Sequence, residues 1–482
     1  MNVCCSRSGR DGFDVAVVGA GSAGFSAAIT AAELGAHVAL IGHGTIGGTC
    51  VNVGCVPSKT LIRAAEAVHG GHAATRFPGL VGNIRLDDWT PLIRAKDDLV
   101  TGLRQKKYVD LLPAYDGVSY VEGKARFVDG ALLVGDAPMK AGKVILATGA
   151  RAAVPSIAGL ESIPYLTSTT ALALDHLPKS LLVIGGGVIG VELGQMFARF
   201  GVAVTICCRS RLLPELDPEL GLGLQAHLEA EGIRVCAGVG YQHIAQTAAG
   251  IELVCESRGC DGQGSCSTVQ TLVAEQVLIA TGRRPNSDGM ELEAHGIALD
   301  KRGGIVVDDH LESSIPGIYA AGDVTGRDQF VYMAAYGARL AARNAVSGNR
   351  DRYDNSAMPV VVFTDPQVAS VGLTETAARA AGLEVKTSLL PLDAVPRALA
   401  ARDTRGLIKL VADKSSDRLL GGQIMAPEGA DSIQTLVLAI KYGMTTRELG
   451  GTIFPYLTTV EGLKLASQTF DKDLTKLSCC AG

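Results

Sequence analysis

The sequence lacks a large charge of one sign, has few aromatic residues and contains no long uninterrupted apolar run. Its 482 residues carry 44 Lys and Arg against 49 Asp and Glu, a net charge of −5, and aromatic residues make up 5%. A near-neutral chain gives no reason to expect a nucleic acid partner. The most apolar long stretch, 181–208, is interrupted by Glu192, Gln195 and Arg199, so we expect no insertion into a membrane.

Residues 1–13 also lack the apolar core of a secretory signal peptide, so we expect a cytoplasmic protein with reduced thiols. Twelve cysteines are too sparse to form a disulfide scaffold in a chain of this length. In a reducing compartment, paired cysteines indicate redox or metal chemistry more often than structural bridges. At about 150 residues per domain, the length predicts about three domains.

Glycine, by contrast, is abundant with 59 residues, and two glycine clusters repeat one pattern. In each copy a short apolar strand is followed by GxGxxG and a helix, the order of a dinucleotide-binding βαβ unit. The first glycine permits a tight turn, the second lets the backbone approach a pyrophosphate, and the third lets helix and strand pack closely. The clusters are Gly19, Gly21 and Gly24, and Gly185, Gly187 and Gly190. The repeat predicts two separate dinucleotide sites.

The order of these elements predicts an α/β fold with two Rossmann-like dinucleotide-binding domains and a C-terminal α+β domain. The first domain is expected to cover 1–150 and 280–350, and the second, 151–279, is inserted between those segments. Residues 355–482 carry no dinucleotide signature, so a differently built third domain is expected there.

The most specific stretch is 47–59, GGTCVNVGCVPSK, which contains Cys50, Cys55 and Lys59. Thiols near the start of a helix gain from its dipole and backbone N–H groups, which stabilise the thiolate, and Lys59 can add positive charge. The stretch resembles the redox-active CxxxxC motif of the pyridine nucleotide–disulfide oxidoreductases, flavoenzymes that include glutathione reductase and lipoamide dehydrogenase. The order and spacing of the other motifs follow the same plan over nearly the whole chain.

The resemblance implies FAD at the first glycine cluster and a nicotinamide nucleotide at the second. It implies that Cys55 is the thiolate nearest the flavin and that Cys50 is the outer, exchanging thiol. Lys59 would pair with Glu192 beside the flavin, and Asp323 would reach the ribityl-phosphate end. The expected FAD contacts are Gly19, Gly21, Gly24, Gly48, Thr49, Lys59, Thr148, Gly149 and Asp323.

The end of the second strand departs from the family pattern. The family usually places an acidic residue there, on the adenosine ribose, but here Ile41 is followed by Gly42 and His43. Glycine has no side chain for that contact. We therefore expect the ribose to be bound by backbone, water or His43.

The second dinucleotide site is expected to prefer NADPH over NADH. An NAD site usually has Asp or Glu near the position of Cys208, whereas here Arg209 and Arg211 follow. Two arginines suit a 2′-phosphate, although a solvated basic turn is the simpler alternative. The expected NADPH contacts are Gly185, Gly187, Gly190, Arg209, Arg211 and Gly282.

The C-terminal part differs from the disulfide reductases of the family at one catalytic position. Those enzymes carry a His followed five residues later by Glu, and here Tyr456 precedes Glu461. A phenol with a pKa near about 10 is a poor proton shuttle for a thiol leaving group at neutral pH. Disulfide reduction needs such a shuttle, whereas an acceptor that is not a disulfide does not. The resemblance also implies a homodimer in which each active site is completed by both subunits.

Two adjacent cysteines, Cys479 and Cys480, lie near the end of the sequence, with Cys480 two residues before the last residue, Gly482. Thiolates select soft metal ions, of which Hg(II) is the softest candidate and favours linear binding by two thiolates. Together with Tyr456, this tail resembles the mercuric ion reductases within the family. The resemblance implies that the tail captures Hg(II) and passes it to Cys50 and Cys55 of the partner subunit, where NADPH-derived electrons reduce it to Hg(0).

Tyr108, in the segment 104–108, is a further match and would line the transfer site with Tyr456, although both could be ordinary core or surface tyrosines. The expected catalytic residues are Cys50, Cys55, Lys59, Tyr108, Glu192, Tyr456 and Glu461, and the expected Hg(II) ligands are Cys50, Cys55, Cys479 and Cys480. The GMTCxxC motif of the metal-binding domain that many of these reductases carry does not occur here. Either the tail therefore does more of the metal capture, or low-molecular-weight thiols deliver the metal.

Two alternatives compete with this interpretation. One is an NADPH-dependent disulfide reductase for a glutathione-like or lipoyl substrate, and the other is a flavoprotein that sequesters mercury without turnover. Of the remaining cysteines, Cys207 and Cys208 are predicted to pack within a strand. Cys255, Cys260 and Cys266 lie in a glycine-rich stretch that is predicted to form a solvated hairpin loop.

Overall fold

A computed structural model describes residues 12–259 and 266–473 of the chain. The helices are α1 (Ser22–Glu33), α2 (Gly48–Val53), α3 (Cys55–Ala73), α4 (Trp89–Arg104), α5 (Ser168–Ala171), α6 (Val188–Arg199), α7 (Pro218–Ala230), α8 (Val331–Ser347), α9 (Glu375–Ala380), α10 (Pro396–Ala401), α11 (Gly429–Lys441), α12 (Thr446–Gly451) and α13 (Glu461–Gln468). Within the described ranges, no helix combines the length and the apolar character needed to cross a membrane.

The strands form six sheets in the described residues. They are β1 (Phe13–Val18), β2 (Val38–Gly42), β3 (Val118–Glu122), β4 (Ala125–Val128), β5 (Ala131–Val134), β6 (Ala137–Pro138), β7 (Ala141–Leu146), β8 (Ala150–Ala152), β9 (Leu166–Thr167), β10 (Ser180–Ile184), β11 (Ala203–Cys207), β12 (Arg234–Cys236), β13 (Val239–Thr247), β14 (Gly250–Gly259), β15 (Cys266–Ala274), β16 (Gln276–Ile279), β17 (Arg283–Pro285), β18 (Ile318–Ala320), β19 (Pro359–Val362), β20 (Gln367–Gly372), β21 (Val385–Pro391), β22 (Leu407–Asp413) and β23 (Leu419–Ala426).

Two compact units divide these elements. The first combines the segment ending at Ser58 with Pro91–Ala153 and Arg283–Tyr353. Its main sheet is parallel, in the order β18-β7-β1-β2-β3. Valine-rich β1 suits the centre of such a sheet because parallel strands are buried on both faces. Helix α1 packs against α8, and the carboxyl ends of β1, β2 and β7 meet at one edge of the sheet.

The second unit combines Lys59–Thr90, Val154–Gly282 and the residues from Asp354 onward. It contains a parallel sheet in the order β12-β11-β10-β16-β9 and an antiparallel sheet β13-β14-β15, which share one apolar core. A third, antiparallel sheet has the order β19-β20-β23-β22-β21 and packs against α11 and α13. The predicted α/β class, with two Rossmann-like sheets and a C-terminal α+β part, is confirmed.

The expectation that Cys255 lies in a solvated loop is wrong. The residue is fully buried in β14, where Ile251, Leu253 and Cys255 alternate onto the inner face of the sheet. Because glycines follow Cys255 closely, the predicted loop began too early in the sequence, within β14. Cys260 lies outside the described residues, and Cys266 begins β15.

Candidate active site

The first glycine turn can be formed only by glycine at two of its positions. Gly19 has φ +120°, and a Cβ there would lie 2.2 Å from the carbonyl oxygen of Ala147. A Cβ on Gly24 would lie 1.6 Å from the carbonyl oxygen of Gly19. Gly21 precedes α1, and in the described part of the chain no side chain caps that helix. The first N–H groups of such a helix could bind a pyrophosphate.

The turn before the cysteine motif packs directly on the first glycine turn. Gly47 and Gly48 have φ values of +100° and +69°, and a Cβ on Gly48 would lie 2.6 Å from the Cα of Gly21. Any side chain there would force the two turns apart. The glycines thus bring the start of α2 next to the phosphate-binding turn.

Cys50 lies within α2, and Cys55 is the first residue of α3. Both are half-buried and present as thiols rather than as a disulfide. The 19 residues of α3 place a positive helix terminus at Cys55, which favours its thiolate. Such a pair can exchange with incoming thiols or bind a soft ion between its two sulfurs.

Asn52 holds this segment in shape, a role that the sequence analysis missed. Its Nδ2 donates to the carbonyl oxygens of Ile46 and Gly48, each at 2.9 Å. Its Oδ1 accepts from Nη1 of Arg104 at 3.1 Å. An asparagine between two cysteines of a turn is a signal for such side chain–backbone bonds.

Tyr108 lies beside the cysteine pair. It sits in a single π-helical turn, Gln105–Val109, and its hydroxyl is 3.4 Å from Oγ of Ser22. Its ring makes an edge contact with Phe25, with centroids 4.8 Å apart. Burial raises the pKa of Tyr108, and negative charge on Cys50 and Cys55 would raise it further, so the hydroxyl keeps its proton at neutral pH.

Lys59, one turn after Cys55 on α3, forms an ion pair with Glu192 on α6. The distance from Nζ to Oε2 is 2.6 Å, and the Glu192 side chain is only 4% exposed. The other oxygen, Oε1, accepts from the backbone N–H of Phe363 at 2.8 Å. Nζ also lies 4.7 Å from the centre of the Phe363 ring. The carboxylate therefore fixes the ammonium group in one place.

Asp323 and Thr148 are held by partners from the segment 283–286. Nε of Arg283 lies 3.4 Å from Oδ2 of Asp323, and burial raises the pKa of this carboxyl group although Arg283 opposes the rise. Oγ1 of Thr148 donates to the carbonyl oxygen of Asn286 at 2.6 Å, and Nδ2 of Asn286 donates to that of Thr148 at 3.0 Å. The polar run directly after Gly282 was the available signal for these partners.

Gly42 ends β2 in a position that leaves no room for an acid. A Cβ there would lie 2.6 Å from Cβ of Ala20 and 2.9 Å from the hydroxyl of Tyr120. Tyr120 comes from the neighbouring strand β3, which pairs with β2 in parallel. The space of a side chain at this position is thus already taken, and His43 beyond it is exposed.

The second glycine turn repeats the geometry of the first. Gly185 has φ +125°, with a Cβ 2.2 Å from the carbonyl oxygen of Ala280, and a Cβ on Gly190 would lie 2.1 Å from the oxygen of Gly185. At Gly187 and Gly282 a Cβ would meet nothing within 4 Å. Open space at Gly187, between two blocked glycines, is where a pyrophosphate would approach the backbone.

The two arginines of this region differ in their surroundings. Arg211 donates to the carbonyl oxygens of Leu213, Pro214 and Leu216, at 2.9, 2.9 and 2.5 Å, and so holds its own loop. Arg209 is exposed.

The loop of Tyr456 is fixed by Glu461. Tyr456 is 54% exposed, and the next residue, Leu457, has φ +61°. The backbone N–H of Leu457 donates to Oε2 of Glu461 at 3.2 Å, and Glu461 is buried at the start of α13. Glu461 thus holds the backbone beside Tyr456. Cys479 and Cys480 lie outside the described residues.

The two glycine turns, the cysteine pair and the Lys59–Glu192 pair agree with what comparison with known families finds. Residues 13–342 match the family described as pyridine nucleotide-disulphide oxidoreductase, and 358–467 match its dimerisation domain. The chain belongs to the pyridine nucleotide-disulphide oxidoreductase family. It is an oxidoreductase, and membership of this family implies the use of a flavin and a nicotinamide nucleotide.

Relatives in this family resemble the chain over nearly all of its length. Mercuric reductase of Bacillus cereus is 45% identical over 483 residues, covering 100% of this chain and 75% of that protein. Mercuric reductase of Streptomyces lividans is 45% identical over 477 residues, covering 98% and 99%. The Cu(II) complex of the HOCl-induced flavoprotein disulfide reductase RclA from Escherichia coli has a TM-score of 0.82 at 30% identity, covering 96% and 100%.

Proposed function

We propose that the protein is an NADPH-dependent FAD enzyme that reduces Hg(II) to Hg(0) at Cys50 and Cys55. The observation that carries the proposal is the half-buried thiol pair, Cys50 in α2 and Cys55 at the start of α3, with Tyr108 beside it. The full-length similarity to mercuric reductases at 42–45% identity supports the substrate. A disulfide substrate is less favoured because Tyr456 stands where such enzymes need a proton shuttle.

The fit of the residues to FAD rests on the glycine cradle. Gly21 and Gly48 leave backbone surface where a Cβ would fill the space, next to the uncapped start of α1. FAD, when bound, passes electrons from the nicotinamide nucleotide to the cysteine site. Lys59 places positive charge one helical turn from Cys55, and Glu192 prevents that ammonium group from swinging away. Asp323 and Thr148 are proposed to contact the same cofactor.

The reaction at the sulfurs balances without a proton shuttle. Hg(II) arrives bonded to two small thiolates, and two bonds to the sulfurs of Cys50 and Cys55 form as those bonds break. The two cysteine protons pass to the released small thiolates, and the product is the linear dithiolate that soft ions favour. Two electrons then convert Hg(II) to Hg(0), and both bonds break to leave two thiolates. NADPH supplies those electrons and becomes NADP⁺ with release of one proton. Tyr108, which stays protonated, offers a hydroxyl beside the sulfurs.

NADPH rather than NADH is proposed because exposed Arg209 is available for a 2′-phosphate. Arg211 supports the same site through its loop, since its guanidinium already bonds three carbonyl oxygens. Gly185, Gly187, Gly190 and Gly282 form the proposed pyrophosphate turn and its open flank.

We further propose a homodimer in which Tyr456 of one subunit lines the site of its partner and the Cys479–Cys480 tail delivers Hg(II) there. The exposure of Tyr456 and the dimerisation domain at 358–467 support the dimer. The tail role rests on the sequence alone. The same proposal includes low-molecular-weight thiols as mercury carriers and a cytoplasmic location. It also includes three domains, with limits at 1–150 together with 280–350, at 151–279 and at 355–482.

One assay separates the proposed reaction from its alternatives. Purified holoenzyme is given NADPH and Hg(II) with an excess of a small thiol, and both NADPH oxidation and volatile Hg(0) are followed. We expect sustained oxidation with mercury release, and loss of both in Cys50→Ala. Turnover of glutathione disulfide without mercury release would indicate a disulfide reductase. Mercury binding without continued NADPH oxidation would indicate a sequestering protein.

A further inference from the structure

A second pair of thiols lies in the second unit and shares no residue with the proposed redox site. Cys207 ends β11, Cys236 ends β12, and the two residues are directly paired in the parallel register. Paired residues of neighbouring strands project from the same face of a sheet. The neighbouring Cys236 and burial raise the pKa of the Cys207 thiol, as expected for two thiols that lie close together. Cys207 is fully buried, and Cys236 is 8% exposed.

The surroundings of this pair limit what it can bind. In the described residues no group of three or more His, Cys, Asp or Glu side chains is arranged to hold a metal ion. Zinc normally takes four ligands, so it does not suit the pair. The remaining candidate is an ion that two thiolates can bind in a line, and soft Hg(II) prefers that coordination.

We propose that Cys207 and Cys236 form a second mercury site, which binds one Hg(II) as a dithiolate without reducing it. Neighbouring strands lie about 4.8 Å apart. Two bonds from thiolates to an ion such as zinc, at about 2.3 Å each, span roughly 4.6 Å in line. The two cysteines lie opposite each other across neighbouring strands, whose spacing is close to the span of a linear dithiolate.

Binding at this pair balances as a thiol exchange. Hg(II) arrives bonded to two small thiolates, and two new bonds form to the sulfurs of Cys207 and Cys236 as the two old ones break. The protons of the two cysteines pass to the released small thiolates. No electron is transferred, so no oxidant or reductant is required.

The edge of the sheet favours entry from the side of Cys236. Strand β12 is the outer strand of its sheet, so one flank of Cys236 is not covered by a further strand. Exposed Arg234 lies two residues earlier on the same face and donates to Oε1 of Gln270 at 3.0 Å.

The first test counts bound mercury on purified holoenzyme, with Hg(II) supplied as its bis-glutathione complex. After desalting, Cys236→Ser should hold one mercury fewer per subunit than the wild type. Cys208→Ser is the matched control, because Cys208 is also buried but its thiol donates to the carbonyl oxygen of Ser210 at 3.5 Å. The control should hold as much mercury as the wild type. Equal counts in the wild type and Cys236→Ser would overturn the proposal.

The second test needs no variant, so a folding defect cannot obscure it. Crystals of the wild-type enzyme are soaked in the same complex, and the anomalous signal of mercury is mapped. A peak between the two Sγ atoms of Cys207 and Cys236 is expected. Mercury at other sites but not at this pair would refute the assignment. Neither test involves NADPH oxidation, so failure of the proposed reductase activity would leave both results interpretable.

Discussion

The ion pair between Lys59 and Glu192 allows a quantitative test of what holds the active-site lysine. Replacing Lys59 by Met leaves a carboxylate that is 4% exposed without its cation. Breaking a buried pair in this way costs about 3–5 kcal/mol. Because the Lys59 side chain is 34% exposed and water screens it, we expect about 3 kcal/mol, the lower end of that range.

Glu192→Gln should cost less than Lys59→Met. The amide oxygen can still accept the N–H of Phe363, which Oε1 accepts in the wild type at 2.8 Å, and Lys59 can turn to solvent. The loss of one charge-assisted hydrogen bond is about 1.5 kcal/mol. In the double variant no buried charge is left alone, so its cost should equal that of Glu192→Gln rather than the sum of the two.

Trp89 provides the assay, since it is the single tryptophan of the chain and lies in the same unit as the ion pair. It is buried, stacks edge-on to Phe200 and donates from Nε1 to the carbonyl oxygen of Leu174 at 2.9 Å. Its fluorescence in urea reports the unfolding of that unit alone in a multi-domain protein. If the destabilisation of the double variant equals the sum of the two single variants to within about 0.5 kcal/mol, the reasoning is refuted.

Further substitutions test the remaining contacts. Arg209→Ala should raise the KM for NADPH about tenfold, because one charge-assisted bond is lost, and should leave the KM for NADH unchanged. Arg211→Ala should instead lower the urea midpoint of Trp89 fluorescence. Asn52→Ala should speed the alkylation of the redox cysteines, measured by mass spectrometry, because two bonds that hold their turn are lost. Gly24→Ala should abolish FAD retention on gel filtration, since its Cβ would overlap a carbonyl oxygen. Because burial holds the pKa of Tyr108 above its ordinary value, Tyr108→Phe should leave the shape of the pH–rate profile unchanged up to about pH 10.

The glycine turns could be predicted from the sequence because their constraints are local. Gly19 and Gly24 contact each other across five residues, and the short distance between their backbones excludes any side chain. Asn52 acts within four to six residues and could have been found from turn chemistry. Asn52 lies between the two cysteines of the motif, whereas the resemblance to the family concerns the cysteines.

Contacts between distant segments could not be predicted in the same way. The pairing of Cys207 with Cys236 depends on the register of two strands, and a shift of one residue would turn the two thiols to opposite faces. The space beside Gly42 is filled from β3, and no pattern near Gly42 indicates Tyr120. The pairing of Lys59 with Glu192 was predicted from the resemblance to the family and not from the residues alone.

Two thiol pairs in one chain raise the question why one should turn over mercury and the other retain it. Exchange of a thiolate-bound ion needs a third thiol to attack it, so its rate depends on access. Cys50 and Cys55 are both half-buried. Cys207 is fully buried within a sheet, and its partner Cys236 is 8% exposed. A third thiol therefore reaches an ion at the second pair less easily, and we expect slower release there than at the first pair.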